Sequence, residues 1–309
     1  MPRRAYLGLC AASLFWATAF IAGKVVLAEL TPLTAAGIRH LTASVLLFPF
    51  AWRARHRANL RAVLLPLAVM IVCGGVFYQW SFMAALQRTS ATNASLLVAL
   101  NPAFTVLLAP LVGEALTRRG VAGVLVALAG AAVVITHGDP AVLASLLHAR
   151  SGDLLAILAA VLWALFNVCS RHVVGHLPHA MTNALCYGIG SAVMLTLALP
   201  EAPFAQIVHA SPSALAALLS MVVLSSVLAG QFFLYGVHTV GVGRTVVFVY
   251  LVPVITALLS AVFLGEPLLA AQVAGGALVL AGVWITTRTP VRQTIETEEQ
   301  LALAAEAEG

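Results

Sequence analysis

Arg39 and His40 stand side by side about six residues inside a long apolar run, and Lys24 lies late in the run before it. A cation so placed can snorkel to the nearest polar boundary, with Glu29 as a local partner. It can also capture a carboxylate, or form a charge pair that opens and closes. Pro102 and Pro253 each sit inside an apolar run, where proline removes one intrahelical hydrogen bond and frees a carbonyl. Such a break serves as a static kink, a gating bend or a polar contact for a bound molecule. Asn101 adds an amide beside Pro102, whereas Val252 precedes Pro253, so any site there is asymmetric. Trp16 and Trp163 lie about 11 residues into their runs, deeper than an interfacial tryptophan. They fit either the wall of a cavity or helix packing. Further polar side chains in apolar surroundings are Gln79, Asn93, Asn167, Asn183, Gln231, Tyr78, Tyr187, Tyr235 and Tyr250. Each is costly there unless it bonds to a neighbouring helix or a ligand.

No acid joins them. Glu114, Asp153 and Glu266 all fall near run ends, which makes a proton relay less obvious and leaves facilitated efflux or exchange open. His40 or a run-end carboxylate remains as a substitute. The nine histidines lack metal-ligand spacing, and the four cysteines lie far apart in apolar runs. Gly241-Val242-Gly243-Arg244-Thr245 lacks the lysine and the preceding strand of a phosphate loop. No catalytic group, metal or cofactor is expected.

These residues need a scaffold, and composition points to its solvent. Apolar residues make up 61% and charged residues 9% of 309, and mean hydropathy is +1.02. A soluble domain carries about 25% charged residues. Lipid is the solvent that suits this chain, so an all-α membrane protein is expected. Runs of spanning length lie at about 5–28, 33–53, 62–86, 92–113, 119–137, 152–172, 179–199, 213–237, 243–264 and 269–288. Gly74-Gly75 and Gly230 interrupt the third and the eighth. The first run has no clear cleavage site and reads as an uncleaved helix. With the N-terminus inside, twelve basic residues fall on the inner side and four (Lys24, Arg39, Arg88, Arg150) on the outer. The positive-inside rule then places both termini in the cytoplasm. The basic residues are topology signals rather than a nucleic-acid footprint. Residues 289–309 form an acidic tail.

The two halves match. Trp16-Ala17 corresponds to Trp163-Ala164, Pro102 to Pro253, and Gly113-Glu114 to Gly265-Glu266. Residues 1–137 and 152–288 are therefore two copies of a five-helix unit, joined by a loop at 138–151. Five is odd, so the second copy enters the membrane from the opposite side. That is the inverted repeat of alternating-access transporters. Gly123 and Gly130 in the fifth run, and Gly275 and Gly282 in the tenth, each lie seven apart on one helix face. They suit packing between the repeats or a homodimer contact.

The runs SLFWATAFIAGKVV, AAGIRHLTASVLLFPFAW, LQRTSATNASLLVALNPAFTVLLAPLVGE and GVAGVLVALAGAAVVIT resemble the first half of an EamA domain of the drug/metabolite transporter superfamily. LWALFNVCSR and VGVGRTVVFVYLVPVITALLSAVFLGEPL resemble its second copy. The resemblance implies ten helices, cytoplasmic termini, an inner-membrane location and export of small metabolites, often amino acids or their derivatives. It also implies a cavity between helices one, three, four, six, eight and nine. That adds Phe20 to Trp16, Tyr78, Gln79, Asn101, Trp163, Asn167, Gln231, Tyr235 and Tyr250 as substrate-binding candidates, with interhelical bonding as the alternative for each. The expected function is a secondary transporter whose partners are a small molecule and the bilayer. Uptake, proton-independent exchange and a non-transporting sensor are the alternatives.

Overall fold

The computed structural model describes residues 2–112, 117–136, 139, 151–263 and 270–287. The expected 289–309 tail, nearly all of the 138–151 loop, Glu114 and Glu266 lie outside them. Among the described residues the chain is helical with no strand. Its helices are α1 (Pro2–Val26), α2 (Pro32–Arg53), α3 (Leu60–Arg88), α4 (Ala91–Val98), α5 (Asn101–Leu108) and α6 (Arg118–Thr136). The second half adds α7 (Ser151–Val173), α8 (His179–Leu197), α9 (Pro203–His209), α10 (Pro212–Val240), α11 (Val242–Phe263) and α12 (Ala270–Thr287). Seven of these are long and apolar enough to cross a membrane: α1, α2, α3, α7, α8, α10 and α11. The expected spans at 92–113, 119–137 and 269–288 overlap α4 with α5, α6 and α12.

Local chemistry sets several helix starts. Pro32, Pro203 and Pro212 each occupy the first helical position, where the missing N–H costs nothing and the fixed φ suits a helix. Ser211 caps α10 by accepting the Ala214 N–H. Pro102 and Pro253 each lie shortly after a break inside the bundle. A two-residue turn at 99–100 separates α4 from α5, and Pro102 is the second residue of α5. A 3-10 turn, Phe248–Tyr250, interrupts α11 just before Leu251, two residues ahead of Pro253. The sequence suggests a kink at each proline. The irregular backbone instead lies one turn before it, because proline's ring bars a regular helix on its N-terminal side.

The two runs interrupted by glycine are continuous but widened. Met70–Phe77 in α3 and Met221–Leu228 in α10 are π-helical, with hydrogen bonds reaching five residues back. A π turn displaces carbonyls from the α-helical ladder. In α3 the Gln79 amide donates to the Gly74 carbonyl at 3.1 Å. In α10 the Ser225 and Ser226 carbonyls receive side chains from other helices, described below.

Large apolar side chains such as Leu65, Leu111, Val262 and Trp284 face outward, while Arg39, His40, Asn101 and Asn167 are buried. That arrangement is the reverse of a water-soluble globule and matches a lipid surround.

Four helix pairs dominate the packing: α2 with α8, α6 with α12, α3 with α7, and α1 with α10. Glycine allows the tightest approach. A Cβ on Gly130 would lie 2.6 Å from the Gly275 carbonyl, and one on Gly282 would lie 2.6 Å from the Ala127 N and the Gly123 O. Of the two uses expected for this glycine face, packing of the fifth helix on the tenth within one chain is the one observed. Gly130→Val should destabilise the protein by about 1–3 kcal/mol, the usual cost of overpacking against backbone. Thermal melting in detergent measures this; an unchanged midpoint would mean that α6 and α12 are not held in this register.

Candidate functional site

Arg39 does not snorkel. It is 5% exposed and points from α2 into the π turn of α10. Its Nε donates to Ser226 Oγ at 2.8 Å and its Nη2 to Ser225 Oγ at 2.9 Å. The same turn's displaced carbonyls take two more donors. Trp16 Nε1 on α1 reaches the Ser225 carbonyl at 3.2 Å, and the Tyr187 hydroxyl on α8 reaches the Ser226 carbonyl at 3.2 Å. His40, 1% exposed, stacks on Tyr187 with ring centroids 4.5 Å apart, and neither ring nitrogen has a partner among the described residues. Helices α1, α2 and α8 thus all bind two consecutive serines on α10. The snorkelling expectation fails because these hydroxyls and the closely packed helices supply a polar niche away from the boundary. The Glu29 carboxylate accepts from Ser211.

Beside this niche lies a group of aromatic rings. Trp16 meets Trp163 edge-on at 5.9 Å, and Tyr78 lies 4.6 Å from Trp163. Phe233 touches both tryptophans, and Phe166 stacks on Trp163 at 4.6 Å. Each such pair contributes about 0.5–1.5 kcal/mol beyond simple burial. Trp16, Tyr78 and Trp163 are nevertheless only half-buried, so the group keeps accessible aromatic surface. A Cβ on Gly74 would collide with the Phe166 ring, so the α3 π turn also gives this group its room.

One turn along α7 from Trp163, Asn167 donates to Thr105 Oγ1 at 3.1 Å and to Asn101 Oδ1 at 3.4 Å. Asn101 Nδ2 donates to the Val98 carbonyl, covering the broken turn before Pro102, and Thr105 Oγ1 donates to the Asn101 carbonyl. The Asn167 Oδ1 is buried without a hydrogen-bond partner among the described residues.

Other candidates lie apart. Phe20 is buried edge-on against Phe82. Gln79 serves the π turn of its own helix. Gln231 approaches the His179 carbonyl at 3.5 Å and Tyr235 faces the His179 ring, a separate group that includes His238. Lys24 Nζ donates to the Thr89 carbonyl. Sequence reasoning missed Ser225 and Ser226 as site residues. A serine in an apolar helix ordinarily bonds to its own preceding turn and carries no signal; only the π geometry frees this pair for Arg39.

At one end of the bundle the segment after α1 is tied to the segment before α10. Ser211 N donates to Glu29 Oε2 at 2.7 Å and its hydroxyl to Glu29 Oε1. Thr31 N donates to Gln206 Oε1 at 2.9 Å, and its hydroxyl to Glu201. At the other end Asn59 N donates to the His176 carbonyl at 3.0 Å.

An apolar exterior, several spanning helices and a buried polar interior define a multi-pass membrane protein. The EamA-like transporter family model matches residues 3–136 and again 150–288, and the chain belongs to that family. It is 32% identical over 289 residues to an uncharacterised transporter of Archaeoglobus fulgidus, covering 93% of this chain and 98% of the relative. It is 28% identical over 284 residues to a probable amino-acid metabolite efflux pump of Salmonella typhimurium, covering 87% and 90%. A protein of known crystal structure shares the fold at a TM-score of 0.69 and 22% identity, over 92% of this chain and 96% of that one.

The Ser211 hydrogen bonds, hydroxyl and backbone, hold the Glu29 carboxyl below its ordinary value. A depressed carboxyl stabilises the fold above its unfolded pKa, and that contribution disappears as pH falls through the folded one. Glu29→Ala should therefore lower the melting temperature at about pH 7, and its difference from the parent should shrink towards about pH 3. Melts across that range measure it. A difference that grows in acid would contradict the contact.

Proposed function

We propose that this protein is a secondary transporter that exports small metabolites, amino acids or close derivatives, by alternating access. It does so with ten spans in two inverted five-helix repeats, residues 1–137 and 152–288, with both termini cytoplasmic. The observation that carries this reading is an exchange symmetry in the packing. Number the spans so that α4 with α5 is the fourth, α6 the fifth, α7 the sixth and α12 the tenth. Then α2 with α8 and α6 with α12 pair each span with its own counterpart. The contact of α3 with α7 becomes that of α10 with α1 when the halves are swapped. The π turns obey the same swap, 70–77 against 221–228. Two separate family matches, one in each half, support the duplication.

Inverted repeats rock against each other around a site at their interface. Trp16 and Trp163 are equivalent residues of the two repeats, and they meet edge-on at that interface. With Tyr78, Asn101 and Asn167 they are the proposed lining of the substrate path, and the breaks before Pro102 and Pro253 are the proposed bending points. The amino-acid reading draws on the name of the Salmonella relative.

Medium from overproducing cells, compared with that of empty-vector cells, should be enriched in one class of small metabolite. Trp163→Ala and Asn101→Ala, at equal membrane abundance, should each lower that export by about tenfold, equivalent to about 1.4 kcal/mol. No enrichment among amino acids, nucleosides, sugars and common drugs would overturn export. Enrichment that survives both substitutions would overturn the lining.

A further inference from the structure

We propose that Arg39 is the anchor for a substrate carboxylate, so that the transported class is organic acids with an apolar or aromatic body. This rests on the transport reading above and adds the group by which the cargo is held.

A guanidinium presents five N–H donors and stays charged at any physiological pH. Arg39 spends two of them, one on each serine hydroxyl. Its remaining donors, on Nη1 and Nη2, have no protein acceptor among the described residues, and no acid pairs with it there. A buried cation in an apolar bundle is costly without a counter-anion. Arginines retained in such places are normally paired. Here the partner is missing while the positioning is complete. Ser225 and Ser226 hold the Nε side, and the π turn that carries them is itself fixed by Trp16 from α1 and Tyr187 from α8. The Nη1–Nη2 edge is the fork that matches a carboxylate by two parallel hydrogen bonds. A purely structural clip between α2 and α10 would not need a charge, since a neutral amide serves two hydroxyls equally well.

The neighbouring surface defines the rest of the molecule. Ser225 is shared: its hydroxyl holds Arg39 and its carbonyl holds Trp16. Trp16, Trp163 and Tyr78 offer half-buried aromatic faces beside it. A carboxylate on Arg39 would therefore carry its body onto these rings. A phosphate dianion fits less well, because Arg39 is the one permanent cation among the side chains that meet at the two serines.

The test is a titration of tryptophan emission in the purified, detergent-solubilised protein. The probes are L-leucine, L-phenylalanine and isovalerate, against L-leucinamide, L-phenylalaninamide and inorganic phosphate. Saturable changes are expected with the three acids, and binding at least tenfold weaker with the amides and with phosphate. This comparison uses the parent protein alone, so it stands even if a variant fails to fold. Arg39→Lys should weaken acid binding about tenfold through loss of the fork, and Arg39→Gln should abolish it. Ser225→Ala with Ser226→Ala should weaken it while leaving the charge. Amides that bind as well as acids, phosphate that binds better, no response to any acid, or unchanged acid binding by Arg39→Gln would each overturn the proposal. Export of a metabolite by cells expressing Arg39→Gln at the parental rate would sink the anchor and leave transport standing. Acid binding without export would do the reverse.

Discussion

A bilayer core offers the backbone no hydrogen-bond partner, and this constraint organises the rest of the molecule. Any helix that departs from its regular ladder must find substitutes inside the protein. The irregular stretches here are the π turns of α3 and α10 and the breaks before Pro102 and Pro253. Each is served from within. Gln79 serves the Gly74 carbonyl, Trp16 and Tyr187 serve the α10 turn, Asn101 serves Val98, and Ser13 serves Phe248. Several polar residues of the interior are thus ones that irregular backbone requires.

The two π turns show how one device diverges between halves. In α3 the turn carries Gly74 and Gly75. Their missing side chains admit the Phe166 ring and bring the α8 backbone at Cys186 to the surface of Gly75. In α10 the corresponding positions are Ser225 and Ser226, whose hydroxyls receive Arg39 from α2. One half uses the widened turn for close packing and the other uses it to hold a charge. The two π turns are therefore alike in backbone and unlike in chemistry.

The tethers at the bundle ends are of a different strength. Glu29, Thr31, Glu201, Gln206 and Ser211 are polar groups joining connections near the surface. The glycine contact of α6 with α12 is dry and made by backbone. Contacts of the first kind exchange readily with water and those of the second do not.

Much was legible in the sequence. Composition dictated lipid as the solvent, since 9% charged residues cannot cover a water-facing globule of 309 residues. Run lengths and the punctuation of Pro32, Pro203 and Pro212 marked helices, because these follow from local covalent geometry. The spacing of glycines seven apart marked one packing face. The tertiary structure decided what no spacing encodes. Whether Arg39 reaches the boundary or turns inward depends on the serines that α10 brings to it from 186 and 187 residues away. Whether the glycine face pairs within the chain depends on where α12 lies. Gln231 and Tyr235 share the interior character of Trp16 yet stand with His179, because helix rotation is set by packing of the whole bundle. Sequence determined which groups had to be buried; only the assembled helices determined which of them would meet.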